Sequence, residues 1–168
     1  MKKFILLPMV ALLFGCNATK SLNEASGKGY TATTCPEVGQ CSFEVLKNKS
    51  LVIKKDGTGK VYYSMKENST TTVIKYRYAK DTDPTLQDAG YTEEVVFEIA
   101  SDATDLDYDS TTIQETKMLF GVMCFCKGKA GFYKVEKGTL TYKNNTLYIT
   151  LPNIVEDQVL HDIQVTIQ

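Results

Sequence analysis

Few side chains in this sequence could carry out catalysis. His161 is the only histidine, so a multi-histidine metal site is excluded, and any catalysis by a nucleophile and a histidine base would depend on this residue. His161 begins a stretch in which apolar residues alternate with polar ones, and a histidine packed on the apolar face is the simpler interpretation. We therefore expect no catalytic residues and no enzyme activity.

An acidic cluster lies between Asp102 and Asp109. Asp105, Asp107 and Asp109 have the alternate spacing that begins a calcium-binding EF-hand loop. That loop requires Gly at its sixth position and Glu at its twelfth, where this chain has Ser and Thr. We predict a solvated acidic loop and assign no metal or cofactor, leaving open a weak calcium site of another kind.

The amino terminus places a cysteine directly after a signal-like segment. Two lysines precede an apolar run over residues 4–14, and Gly15 comes before Cys16. The run is too short to cross a bilayer, which takes about 20 apolar residues, and Pro8 interrupts it. This segment resembles the signal peptide and lipobox of bacterial envelope lipoproteins. The resemblance implies cleavage after residue 15 and acylation of Cys16, which would anchor the protein to a membrane by its lipid.

The same resemblance carries an expectation about location. Asn17 follows the cysteine and no charged residue occurs before Lys20, so the outer membrane is the default expectation over the inner membrane. Residues 34–41 and 119–128 are also similar to small, uncharacterised lipoproteins of Gram-negative bacteria. That similarity implies export and an intact cysteine set, but it brings no activity and no site residues.

The other four cysteines are Cys35, Cys41, Cys124 and Cys126, an even number that predicts two disulfides in an exported protein. Cys124 and Cys126 lie two apart in a predicted strand, where their Cβ atoms would be about 6–7 Å apart, whereas a disulfide requires about 3.8 Å. Unless the strand bulges, we expect them to bond to Cys35 and Cys41 across loops of about 90 residues. The alternative is a local Cys35–Cys41 bridge with two free thiols.

A thiolate metal site is a competing interpretation of these cysteines. Met118 and Met123 lie close to Cys124 and Cys126 in the sequence, and soft sulfur ligands favour Cu(I) or Zn²⁺. Met123 belongs to the opposite strand face, and an oxidising compartment favours disulfides over thiolates. A redox centre is not favoured either, because no Cys-x-x-Cys stands at the start of a helix.

The elements that would position these residues are short β-strands. Residues 74–78, 94–99 and 161–168 alternate between apolar and polar side chains, and several shorter runs resemble them. Turn signals separate the runs, among them residues 56–57, 67–69 and 144–145. This pattern predicts an all-β fold, a single antiparallel sandwich or barrel, with one helical turn possible near residues 111–117.

The bulk properties define three segments. Residues 1–15 are the predicted signal peptide, residues 16–34 a polar tether of about 25 Å with the lipidated cysteine at its start, and residues 35–168 the β domain. The chain has 19 basic and 20 acidic residues, and two of the lysines leave with the signal peptide. Because Arg77 is the only arginine and no basic stripe occurs, we expect no nucleic-acid binding.

Together these observations predict a non-enzymatic, membrane-anchored envelope lipoprotein that binds another protein or a small ligand. One alternative is a tethered protease inhibitor with residues 36–40 or 82–90 as the reactive segment. A metal-binding protein and an enzyme that uses the aspartates or His161 are less favoured alternatives.

Overall fold

The computed structural model describes residue 22, residues 29–32, residues 34–83 and residues 85–167. The described chain is built from ten strands and one 3₁₀ helix at Ile113–Thr116. The strands are β1 (Tyr30–Ala32), β2 (Gly39–Lys55), β3 (Val61–Lys80), β4 (Tyr91–Ala100), β5 (Leu106–Tyr108), β6 (Leu119–Cys124), β7 (Gly131–Lys134), β8 (Thr139–Lys143), β9 (Thr146–Thr150) and β10 (Asp162–Ile167).

Two five-stranded antiparallel sheets form a sandwich. The small sheet has the order β1-β10-β9-β8-β5, and the large sheet has the order β2-β3-β4-β6-β7. The predicted all-β antiparallel fold is therefore confirmed, and the 3₁₀ helix lies within residues 111–117, where the sequence allowed a helical turn.

The small sheet follows directly from alternation and turn chemistry. Leu147 and Ile149 of β9 and Ile163, Val165 and Ile167 of β10 are buried, while the residues between them are not. The turn from β8 to β9 contains two asparagines with positive φ, 52° and 62°. Asparagine tolerates this backbone conformation better than most residues, so the turn closes a tight hairpin with the twist that the strands require.

The large sheet is dominated by a long hairpin, because β2 and β3 have 17 and 20 residues. Residues 67–69, predicted to be a turn, lie inside β3. There the register shifts between Lys47 and Lys49, so that four residues of β3 stand opposite Asn48 alone. Such a bulge bends a strand pair without ending it. The hairpin therefore has a proximal half in the sandwich and a distal half, which we call the arm, that folds over the outer face of the sheet.

The main core fills the space between the two sheets. Tyr76 of β3, Phe97 of β4 and Phe120 of β6 meet Tyr142 and Leu147 of the small sheet, and all five are fully buried. A second, smaller core lies on the opposite face of the large sheet, where Leu51 of the arm packs against Val73, Val96 and Leu119. The bend at the bulge places the arm over an apolar face that solvent would otherwise contact.

The predicted boundary between tether and domain is too late in the sequence. Tyr30–Ala32 forms β1 and pairs with β10, and the Thr34 hydroxyl accepts a hydrogen bond of 2.8 Å from the backbone N–H of Gln164. Leu22 is fully buried in the main core. A three-residue strand shows no measurable alternation, so the sequence pattern could not distinguish it from a linker.

The predicted signal peptide and Cys16 lie outside the described residues. Within the part of the chain that is described, none of the helical segments is long and apolar enough to cross a membrane.

Candidate functional site

Three loops of the large sheet emerge side by side at one end of the sandwich. Gly39 pairs with Lys80, Ala79 pairs with Thr92, and Tyr91 pairs with Cys124, so the ends of β2, β3, β4 and β6 form one row across the sheet. The loops that leave this row are residues 34–38, residues 81–90 and residues 125–130. The β9–β10 connection, residues 151–161, joins them from the small sheet. We call this surface the loop end.

Each of the three large-sheet loops presents an exposed apolar side chain. Val38 is 58% exposed, Leu86 is 60% exposed and Phe125 is 85% exposed. Single exposed apolar residues are common on protein surfaces, but three on neighbouring loops of one end indicate a contact surface. A rigid sandwich that carries variable loops at one end is a frequent arrangement for recognition.

A groove of about 610 Å³ runs between the 81–90 loop, the 125–130 turn and the β9–β10 connection. Its wall contains Tyr91 and Val159 from the strands and the connection below, and Cys126 from the turn after β6. Its charged side chains are two lysines and three carboxylates: Lys80, Lys129, Asp83, Glu156 and Asp157. The groove therefore combines an apolar floor with a slightly acidic rim.

A buried carboxylate fixes the floor of the groove. Glu93 is completely inaccessible to solvent and accepts hydrogen bonds of 2.7 Å from the backbone N–H groups of both Val159 and Leu160. The Tyr91 hydroxyl donates a third hydrogen bond to it. Burial, followed by this hydrogen bond, raises the pKa of Tyr91, so its phenol stays protonated as a donor at neutral pH. Glu93 thus ties the β9–β10 connection to the large sheet.

Lys129 closes one side of the groove by ion pairing. Its ammonium lies 2.6 Å from Asp157 and 3.4 Å from Glu156. The hydrogen bond to Asp157 raises the pKa of Lys129. Both carboxylates are largely exposed, so the ion pairs contribute little to the stability of the fold. Their effect is to orient the 125–130 turn towards the β9–β10 connection.

The disulfide pattern differs from the favoured prediction. The structure joins Cys35 to Cys41, with Cα atoms 5.7 Å apart, and brings Cys124 and Cys126 to bonding distance, with Cα atoms 5.2 Å apart. Cys41 pairs with β3, and β3 and β4 separate it from β6. Three strand spacings correspond to about 14 Å, which no disulfide can bridge. The proposed cross-links from residues 35 and 41 to β6 are therefore wrong.

Cys124 and Cys126 would be too far apart to bond only in an extended strand that runs through both residues. β6 ends at Cys124, and the chain bends at Phe125. This bend shortens the separation between the two cysteines below its value in a strand, so they meet.

His161 lies just outside the strand on which it was predicted, because β10 begins at Asp162. It is half-buried, and its Nε2 is 3.0 Å from the backbone carbonyl oxygen of Gln158. His161 also lines a second groove of about 510 Å³ formed by the β9–β10 connection. Its hydrogen-bond partner is a backbone group, an arrangement that positions the ring within this connection.

The aspartates of the acidic cluster have separate structural roles. Asp109 accepts hydrogen bonds from the backbone and hydroxyl of Thr111, which lower its pKa, and Asp107 pairs with Lys143 at 3.1 Å. Among the described residues, no group of three or more His, Cys, Asp or Glu side chains is placed to hold a metal ion.

The two predicted inhibitor segments differ in geometry. The carbonyl of Val38, in the middle of residues 36–40, accepts a 2.6 Å hydrogen bond from Tyr78 and so faces the domain. Residues 82–83 and 85–90 lie at the surface, and the Asp83 carboxylate accepts a 2.9 Å hydrogen bond from the backbone N–H of Thr85, next to the exposed Leu86.

No family model, no curated protein and no solved structure matches this chain. The loop end was not predicted from the sequence. An apolar residue within a polar stretch, such as Leu86 after Asp83, was the available signal, but only the strand register shows that Val38, Leu86 and Phe125 belong to one surface.

Proposed function

We propose that this chain is a membrane-anchored, non-enzymatic envelope lipoprotein that binds another protein through its loop end. The observation that carries the proposal is the placement of Val38, Leu86 and Phe125 on adjacent loops at one end of a rigid sandwich. Apolar side chains that are exposed in the free protein gain free energy when an interface removes them from water, and aromatic residues such as Phe125 are enriched in the cores of protein interfaces.

The width of the surface favours a protein over a small ligand. The three apolar side chains extend over the row from β2 to β6, which is three strand spacings or about 14 Å. A small ligand is more often enclosed in a pocket that buries most of its surface. The groove at the loop end is open, and its rim carries more carboxylates than lysines, which favours a partner with exposed apolar and basic side chains.

The anchor rests on the resemblance of the first sixteen residues to lipoprotein signal peptides. Incorporation of labelled palmitate into the wild type, and its loss in Cys16→Ser, would support this part of the proposal. A wild-type protein that incorporates no label and stays in the soluble fraction would contradict it.

Partner binding can be tested by cross-linking the protein in whole cells and comparing variants. The triple variant Val38→Ser, Leu86→Ser and Phe125→Ser removes the apolar anchors and should lose any protein that the wild type captures reproducibly. Tyr62→Ser is the matched control, because Tyr62 is exposed on the arm, away from the loop end. Equal capture by the triple variant, or capture lost in the control alone, would contradict the proposal.

Protease inhibition by residues 82–90 is a second candidate, favoured by the exposure of Leu86 beside the hydrogen-bonded Asp83 and Thr85. Incubation of the purified domain with serine and cysteine proteases tests it. Inhibition that Leu86→Ser abolishes would support this function, and no inhibition at micromolar concentrations would remove it.

A further inference from the structure

We infer that Cys124 and Cys126 form a thiol–disulfide exchange site, in which the disulfide accepts two electrons from a protein dithiol. The two cysteines meet at the end of β6, and Cys126 lines the open groove at the loop end. Phe125 between them is 85% exposed and offers an apolar contact to a segment that brings a thiol into the groove. This site goes beyond partner binding and can be measured on the purified domain.

The position of the Cys124–Cys126 bond in the chain distinguishes it from a structural cross-link. It joins residues only two apart in the sequence, so it holds no two elements of the fold together. The backbone pairing of β6 with β4 ends at Cys124. Opening the bond therefore leaves the sheet hydrogen bonds of β6 in place. Closing so short a loop also removes little chain entropy from the unfolded state.

The Cys35–Cys41 bond has a different setting. It closes the loop that enters β2, and the Val38 carbonyl inside that loop is hydrogen-bonded to the Tyr78 hydroxyl at 2.6 Å. This loop is thereby tied to β3, whereas the 125–130 turn projects towards solvent around Phe125 and Lys127. The two disulfides thus provide an internal comparison within one molecule.

Cys126 is the sulfur that an incoming thiolate can reach, because it faces the groove while Cys124 is paired in the strand opposite Tyr91. The thiolate attacks Sγ of Cys126, the bond to Cys124 breaks, and Cys124 leaves as a thiolate. A second thiolate of the dithiol then attacks the partner sulfur of the mixed disulfide and releases Cys126. The dithiol becomes a disulfide, and its two protons pass through solvent to Cys124 and Cys126.

The charges around the groove determine which thiols react fastest. Two lysines and three carboxylates line it, and Lys129 is already paired with Asp157 and Glu156. At equal thiolate concentration and low ionic strength, a cationic thiol should therefore react faster than an anionic one, and added salt should reduce the difference. Rates of the two thiols that respond equally to salt would contradict this effect of charge. Cysteamine is a suitable cationic thiol, and mercaptopropionate is a suitable anionic one.

The first experiment measures which disulfide of the folded domain is reduced by dithiothreitol, using alkylation and peptide mapping over time. We expect the Cys124–Cys126 bond to open at least about tenfold faster than Cys35–Cys41, because the attacked sulfur lines an open groove. Equal rates, or reduction of Cys124–Cys126 only under conditions that unfold the domain, would overturn the inference.

The second experiment identifies the attacked sulfur. Cys124→Ser and Cys126→Ser lose the same bond, so any effect on folding is matched between them. With glutathione disulfide as the probe, Cys124→Ser should accumulate a mixed disulfide at Cys126 several-fold faster than Cys126→Ser accumulates one at Cys124. Equal rates in the two folded variants, or no reaction in either, would contradict the assignment. The reaction rates of these two variants do not depend on partner binding, so the inference about the cysteines and the proposed function can fail independently.

Discussion

At the scale of single residues, the most consequential side chain is the buried carboxylate of Glu93. It lies on the core-facing side of β4, and its hydrogen bonds come from two backbone N–H groups of the β9–β10 connection and from Tyr91. No ion pair to Glu93 is present among the described residues. When a buried carboxylate is held only by hydrogen bonds, the loss of one acceptor oxygen leaves a buried donor unpaired and lowers the stability of the fold.

We expect Glu93→Gln to lower the free energy of unfolding by about 2 to 3 kcal/mol, because the amide NH₂ group would face a backbone N–H donor in place of an acceptor oxygen. Urea unfolding of the purified domain measures the change. Glu136→Gln, at an exposed position, is the control and should change stability by less than about 0.5 kcal/mol. Equal stability of Glu93→Gln and the wild type would show that Glu93 does not hold the connection.

A second residue-scale effect concerns the turn between β2 and β3. The Asp56 carboxylate accepts hydrogen bonds from the hydroxyl and N–H of Thr58 and the N–H of Lys60, which hold its pKa below the usual 3.8. A lowered folded-state pKa contributes stability that is present above pH 3.8 and lost as pH falls through the folded-state value.

Asp56→Asn should therefore reduce the loss of thermal stability between about pH 4 and pH 2.5, since the neutral amide does not titrate. Melting temperatures of the variant and the wild type across this range provide the measurement. Thr58→Ala removes the shortest of these hydrogen bonds, that from the Thr58 hydroxyl, and should partly reduce the dependence of the melting temperature on pH. Parallel pH profiles for all three proteins would contradict the role given to Asp56.

At the scale of elements, the arm depends on close contact between β6 and β7. Gly121 of β6 lies under the ring of Phe132, and a Cβ atom there would be 2.4 Å from that ring. Phe132 also packs edge-on against Tyr63 of the arm, with ring centroids 5.1 Å apart. The absence of a side chain at residue 121 is what allows the arm, β6 and β7 to pack together.

Gly121→Ala should therefore destabilise the domain by about 1 to 3 kcal/mol, because Phe132 must move and disturb its packing with Tyr63. Thermal unfolding gives the magnitude. A glycine with open space around it, Gly90, provides the control through Gly90→Ala. If Gly121→Ala is as stable as Gly90→Ala, the packing of the arm is looser than described.

At the scale of the whole molecule, the sequence predicted the class of fold but not the arrangement of its loops. The favoured pairing of the cysteines was wrong, and only the Cys35–Cys41 bridge of the alternative is present. Alternation along residues 161–168 and 94–99 sufficed to predict an antiparallel sandwich or barrel, because burial on one face imposes a period of two; the choice of a sandwich came from the strand order. Residues 67–69 were misinterpreted because a bulge and a turn use the same polar residues. The cysteine pairing required the strand order, which depends on contacts distant in the sequence.

The start of the domain provides a whole-molecule test. Leu22 is fully buried in the main core, so Leu22→Ala should cost about 2 to 4 kcal/mol of unfolding free energy. The same substitution in a free tether would leave the free energy of unfolding unchanged. Chemical unfolding of this variant is compared with that of Leu86→Ala, which removes an exposed leucine. Equal stabilities of the two variants would show that Leu22 belongs to the tether and not to the core.

The burial of Leu22 limits how far the domain can travel. With Cys16 as the proposed lipid anchor, five residues separate it from Leu22, and the six residue steps between them reach at most about 20 Å in a fully extended chain. A domain restrained in this way searches a thin layer of solvent above the lipid surface. A partner confined to that layer meets it at a high effective concentration, so even a weak contact through the loop end would be occupied, whereas a partner free in solution has no such advantage.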